Sequence, residues 1–244
     1  MGRLTEAVKH LLIINILFFI ATQLYGDQLY AWFSLWYPEN PNFKWWQVFT
    51  HMFMHGNFMH ILFNMYALWA FGTPLEKMWG RNKFLFFYFS AGLGAALLHT
   101  GVNYFLFHDG LQALVDAGID KNQVLEIISD GKYSPAWENV VGADTVDSFI
   151  SAFTTPAVGA SGAIYGILVA FAFTFSEAEL MLIFLPIPIK AKYFVPLLIL
   201  GDLFFGFTGT ATGIAHFAHI GGALFGFLMM WYWKKNQFND NRWN

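Results

Sequence analysis

The sequence predicts an all-α, polytopic membrane protein, a bundle of six bilayer-crossing helices with an aromatic first loop at the interface. Three observations carry that prediction. Of 244 residues, 57% are hydrophobic and 20% aromatic, and only 12% are charged. A soluble domain keeps about a quarter of its residues charged. The apolar residues also run in long stretches, as a chain solvated by lipid requires. Finally, the basic residues sort to one side of the predicted spans.

Each span needs roughly 17–25 mostly apolar residues, which places helices near 8–25, 57–74, 84–107, 158–176, 193–209 and 213–233 of a single membrane domain, 1–244. The first has an apolar core from Leu11 to Thr22 with no small-x-small cleavage site after it, so it reads as a retained helix and not as a signal peptide. Between the first two spans lie Trp32, Trp36, Tyr37, Trp45 and Trp46, interrupted by Pro38-Glu39-Asn40-Pro41. Proline breaks a helix there, and such aromatics favour the headgroup region. Segment 108–147 is the one acidic, water-soluble excursion. It holds short amphipathic stretches at Leu111–Val115 and Val124–Ile128 and reads as a solvated cap.

With six spans, both termini share a side with the second–third and fourth–fifth loops. That side carries Arg3, Lys9, Lys77, Arg81, Lys83, Lys190, Lys192, Lys234, Lys235 and Arg242, ten of the 13 basic residues. The positive-inside rule puts both termini in the cytoplasm. A net charge of −3 without a basic, aromatic-interleaved run offers nothing to nucleic acid. Without cysteine there is no disulfide, thiol nucleophile or thiolate metal site.

Polar groups inside spans are costly and usually face the bundle interior. Here they are His51, His55, His60 and Asn64 around the start of the second span, His99 in the third, Ser161 in the fourth, Asp202 in the fifth, and His216 and His219 in the sixth. The second, fourth and sixth spans run in the same direction. His60, Ser161 and His219 lie three, three and six residues into them, so at 1.5 Å per residue they share a depth to within about 5 Å. All three fall in the outer leaflet, within reach of external water. If their helices are neighbours, they form a hydrolytic constellation. Gly162 and Gly166 beside Ser161 and Tyr165, and Gly222 and Gly226 below His219, repeat a small-xxx-small spacing that lets helices approach closely in lipid. Each feature alone has an ordinary packing explanation, because a membrane serine usually bonds its own backbone. His51, His55, His99, His108 and His216 are read as structural, and Asp202 as bonding a neighbouring helix or facing the interface.

At these residues the chain resembles the rhomboid family of intramembrane serine proteases. The run from His55-Gly56-Asn57 through His60 to Asn64-Met65 is similar to the family's second-helix signature. Gly159-Ala160-Ser161-Gly162, continued to Tyr165-Gly166, resembles its nucleophile motif. Ala218-His219-Ile220-Gly221-Gly222, continued to Gly226, resembles its base motif. Gly72-Thr73-Pro74-Leu75-Glu76 with Trp79-Gly80 and Lys83-Phe84-Leu85 resembles its turn after the second helix. The likeness covers nearly the whole chain except the 108–147 loop, which is longer than in compact six-helix members. Where many members carry Trp-Arg in the first loop, this chain has Trp46-Gln47.

The resemblance implies a six-helix rhomboid-like bundle in the cell membrane whose site opens to the extracytoplasmic side. It implies cleavage within or beside transmembrane segments of membrane-protein substrates, with no metal or organic cofactor. Ser161 is then the nucleophile and His219 the general base. The Ser161 N–H, His60 and Asn64 are the oxyanion donors, and Tyr165 stacks on the base. No acidic residue is evident near His219, so a dyad is expected. Two other readings stay open: an inactive rhomboid-like protein that binds membrane helices, and a metal or haem protein ligated by His51, His55, His60, His216 and His219. Natural substrate and oligomeric state are not legible.

Overall fold

The computed structural model describes residues 4–182, 185–208 and 215–236. Helix α1 (Glu6–Tyr25) leads into the first loop, which holds α2 (Asp27–Phe33), α3 (Gln47–Thr50) and a 3-10 turn, His51–Phe53. Helix α4 (Phe58–Ala67) passes through a π-helical turn, Leu68–Gly72, into α5 (Thr73–Trp79), and α6 (Arg81–Asp116) follows Gly80. Then come α7 (Lys121–Ser129), α8 (Glu138–Val141), α9 (Ala143–Thr154) and α10 (Ser161–Thr174). A hairpin of β1 (Glu179–Leu182) and β2 (Leu185–Lys190) precedes α11 (Ala191–Thr208) and α12 (His216–Lys235).

This is a polytopic helical membrane protein. Helices α1, α6 and α11 are each long and apolar enough to cross a bilayer. On α1, Ile13, Ile16, Leu17 and Ile20 are exposed, which water penalises and lipid does not. The α1 N-terminus is closed from within: the Ala7 and Val8 amides donate to the two carboxylate oxygens of Glu76 at 2.7 and 2.9 Å. That anion satisfies two of the amides every helix start leaves unpaired and complements the helix dipole.

Helix α10 is the centre. Apolar but for Ser161, Tyr165 and Thr174, it is buried from Gly162 to Phe171 except at Tyr165. Its 14 residues reach only roughly 21 Å, short of the ~30 Å hydrocarbon core. Helices α6 and α12 flank it.

Three elements differ from the sequence reading. The second span is not one α-helix: Pro74 has no N–H to donate, and the ladder widens into a π turn just before it. The third helix does not stop near 107 but runs to Asp116, because Phe107, Leu111 and Leu114 continue its apolar stripe. These pack with Val124, Ile128, Trp137, Val146, Phe149 and Tyr37 in a second core, so segment 108–147 is a folded cap. The polar pair His108 and Asp109 ends the apolar run in the sequence, but the helix does not end there. The stretch between the fourth and fifth spans, read as a loop, holds the hairpin, with Glu179 opposite Lys190 and Leu180 opposite Ile189.

The first loop is stitched by Gln47, the residue standing where arginine is common. Its amide donates to the carbonyls of Ala31 (3.0 Å) and Asn42 (2.9 Å), and its oxygen accepts from the Lys44 N–H at 3.0 Å. Fully buried, a neutral amide both donates and accepts there, which a guanidinium cannot do.

Candidate active site

The site begins with the contact between α10 and α12. A Cβ on Gly222 would overlap the Gly162 carbonyl, and one on Gly226 would lie 2.6 Å from Gly166 Cα. The two backbones therefore touch, as small-xxx-small faces allow. On the far side, Gly166 presses on Ala91 of α6, where a Cβ would approach to 2.5 Å. His219 lies one turn before Gly222 on the same face, so this contact brings it to Ser161. His219 Nε2 is 2.9 Å from Ser161 Oγ. The Tyr165 ring, one turn along α10, stacks on the imidazole with centroids 4.2 Å apart and planes 12° from parallel.

The chain before Ser161 is held extended. Leu35 and Ala157 exchange N–H···O bonds of 2.9 Å each, and the Gly159 N–H donates to the His51 carbonyl at 2.9 Å. Gly159 sits at φ +123°, a conformation L side chains rarely adopt. A Cβ there would lie 2.8 Å from His60 Nε2 and 3.5 Å from Ser161 Oγ. The space that the missing side chain leaves is thus lined by both groups. Ser161 opens α10, and no carbonyl among the described residues accepts its N–H.

His60 is fixed from two sides. Its amide donates to Asn57 Oδ1 at 2.9 Å, capping α4, and its ring Nδ1 accepts from the Gly56 N–H at 3.4 Å. With Nδ1 accepting, a neutral ring carries its proton on Nε2, the nitrogen beside Gly159. Asn64 is not joined to Ser161: its amide nitrogen donates to the His60 carbonyl at 2.9 Å. An amide has two N–H groups, so one remains for a ligand.

The remaining histidines make separate contacts. His51 Nδ1 meets the Gln47 carbonyl at 2.9 Å, His99 Nε2 meets the Asn103 amide at 3.2 Å, and His108 Nδ1 meets the Tyr104 carbonyl at 3.0 Å. The His55 ring meets His60 edge-on at 5.0 Å. Beside Ser161 is a cavity of about 20 Å³ bordered by His51, His99 and Gly162, enough for one water.

No acid is evident near His219 in the sequence, and the fold brings one there. Asp202 Oδ1 of α11 lies 3.1 Å from His219 Nδ1 and 2.6 Å from His216 Nδ1. A buried carboxylate in a membrane helix was the available signal. Its partner was not legible, since Asp202 and His219 stand 17 positions apart and the register between α11 and α12 is a tertiary property.

A Ser–His pair at hydrogen-bond distance, beside a donor-lined space at a helix start, can attack a carbonyl and hold the resulting oxyanion. Comparison with known proteins shows the family. The family model described as "Rhomboid domain" matches residues 42–113 and 139–236, well over half of the chain. The chain is similar to proteins named rhomboid protease GlpG from Salmonella newport (strain SL254), Salmonella heidelberg (strain SL476) and Salmonella agona (strain SL483). Each is 42% identical over 72 residues, 29% of this chain and 26% of the relative. The chain therefore aligns with about a quarter of the length of these curated relatives.

Proposed function

The chain belongs to the rhomboid family, and from that premise we propose that it is an intramembrane serine endopeptidase acting on transmembrane protein substrates through Ser161 and His219. The observation that carries this reading is the 2.9 Å approach of His219 Nε2 to Ser161 Oγ across a glycine contact that tolerates no side chain.

In the proposed reaction Ser161 Oγ attacks the scissile carbonyl carbon while its proton passes to His219 Nε2. The carbonyl oxygen becomes an oxyanion facing the Ser161 N–H and the His60 Nε2–H, and the second Asn64 N–H joins once its amide turns. Collapse breaks the C–N bond, and the leaving nitrogen takes the proton from His219. Water then attacks the acyl-enzyme by the same route in reverse, with His219 again as base. Tyr165 keeps the imidazole plane in line throughout.

A peptide in a helix shields its carbonyl carbons, so the substrate must unwind locally, and helix-weakening residues near the scissile bond are expected. With ten basic residues on the side of the termini, both termini are cytoplasmic and the site opens extracytoplasmically. The whole chain, 1–244, acts as one membrane domain.

A fluorophosphonate probe followed by peptide mapping tests this reading. The expected result is label on Ser161 in the wild type and none in His219→Ala. Equal labelling in His219→Ala contradicts it.

A further inference from the structure

Asp202 is the residue the proposed reaction leaves unused. On helix α11 only Ala191, Val195 and Asp202 are buried. A carboxylate in one of three inward positions needs partners, because an unpaired buried charge is costly and lipid offers no hydrogen bond. It has them: Oδ1 faces His216 Nδ1 and His219 Nδ1, and the carboxylate lies beside the Tyr165 hydroxyl. It therefore touches the base, the side chain that stacks on the base, and a second histidine one turn away.

The two ring nitrogens of His219 have different neighbours. An ionised carboxylate can only accept, so Nδ1 must carry a hydrogen to bond it. In a neutral imidazole the other nitrogen, Nε2, is then a bare acceptor, and Nε2 is the atom facing Ser161 Oγ. The opposite tautomer would put a proton where the serine proton must go.

We propose that Asp202 is a positioning residue for the reaction above, holding His219 in the tautomer whose Nε2 accepts the Ser161 proton. When that proton arrives, the imidazolium bears hydrogens on both nitrogens. Asp202 stays ionised, accepts from Nδ1–H and balances the new charge, and Nε2–H goes on to the leaving nitrogen. The carboxylate thus acts in the manner of the third member of a hydrolytic triad, supplied from a different helix than serine or histidine. His216 shares the oxygen and fixes it on the α12 side. This inference rests on the Ser161–His219 reading.

The test is steady-state cleavage of a transmembrane substrate by wild type, Asp202→Asn and Ser161→Ala, together with nitrogen-15 spectra of histidine-labelled protein in micelles. His219 is assigned by its loss in His219→Asn. The expected kcat of Asp202→Asn is on the order of 10- to 100-fold lower, as for loss of a hydrogen bond to a charged group, with KM within about twofold. Tyr165 still holds the ring, so the loss stays below the ~10⁴-fold of a full triad. Wild-type His219 is expected to carry its proton on Nδ1. A folded Asp202→Asn with wild-type kcat overturns the proposal. A neutral wild-type His219 protonated on Nε2 overturns it even where the variant fails to fold. Undiminished cleavage by Ser161→Ala would instead overturn the protease reading itself.

Discussion

Gly226→Ala places one methyl group between two helix backbones, two turns below His219. Its Cβ would lie 2.6 Å from Gly166 Cα, 2.9 Å from the Gly166 oxygen and 3.1 Å from the carbonyl carbon. No rotamer change can relieve contacts with backbone. Ordinary carbon contacts begin near 3.4 Å, so α10 and α12 must part by roughly 0.8 Å. Overpacking of this kind costs about 1–3 kcal/mol. Added to the 2.9 Å between His219 and Ser161, the same displacement exceeds hydrogen-bond range, and misplacement near 1 Å costs about 10²-fold in rate. Thermal unfolding in detergent and cleavage of a transmembrane substrate should both fall. Gly101→Ala on α6, where nothing lies within 4 Å, is the control. It should keep full cleavage and match or gain stability by up to about 1 kcal/mol. A Gly226→Ala protein with wild-type melting and wild-type cleavage would refute the backbone-contact reasoning.

Gly159→Ala forces a side chain into φ +123° and to within 2.8 Å of His60 Nε2; cleavage should drop at least about tenfold while thermal melting shifts by a few degrees. Glu76→Ala strips the Ala7 and Val8 amides of their acceptors and should cost about 1–3 kcal/mol in denaturant titration, with Glu76→Gln recovering part. Hydrogen bonds from Lys190 and Lys192 hold the exposed Glu177 carboxyl down at about 2 from its ordinary 4.5. A depressed carboxylate contributes above its unfolded value and loses that contribution as pH falls through the folded one. The tether from the turn after α10 to Lys190 of β2 and Lys192 of α11 should therefore persist at pH 5 and open between about 4.5 and 2. Added salt should weaken it, as read by carbon-13 titration of Glu177.

Much of the bundle was legible because lipid imposes a simple composition on helices that cross it. The family membership was legible because Ser161 and His219 each stand in a glycine-rich motif. What stayed hidden depends on pairings between distant segments. Asp202 reads as an isolated polar residue until α11 packs on α12. Phe107 reads as the end of a span, and Leu111 and Leu114 as a separate amphipathic stretch, until α7 and α9 cover one continuous helix. Gln47 looks like a missing arginine until its amide is seen bonding Ala31, Asn42 and Lys44. The hairpin at Glu179–Lys190 was obscured because its apolar residues and two prolines fit an interfacial loop equally well.

The most direct measurement of the central claim is cleavage of a single-span membrane protein in liposomes by wild type, Ser161→Ala and His219→Ala. Site-specific cleavage by the wild type, with loss in both variants, is the predicted result. Cleavage that survives either substitution would contradict the assignment of Ser161 and His219 as nucleophile and base.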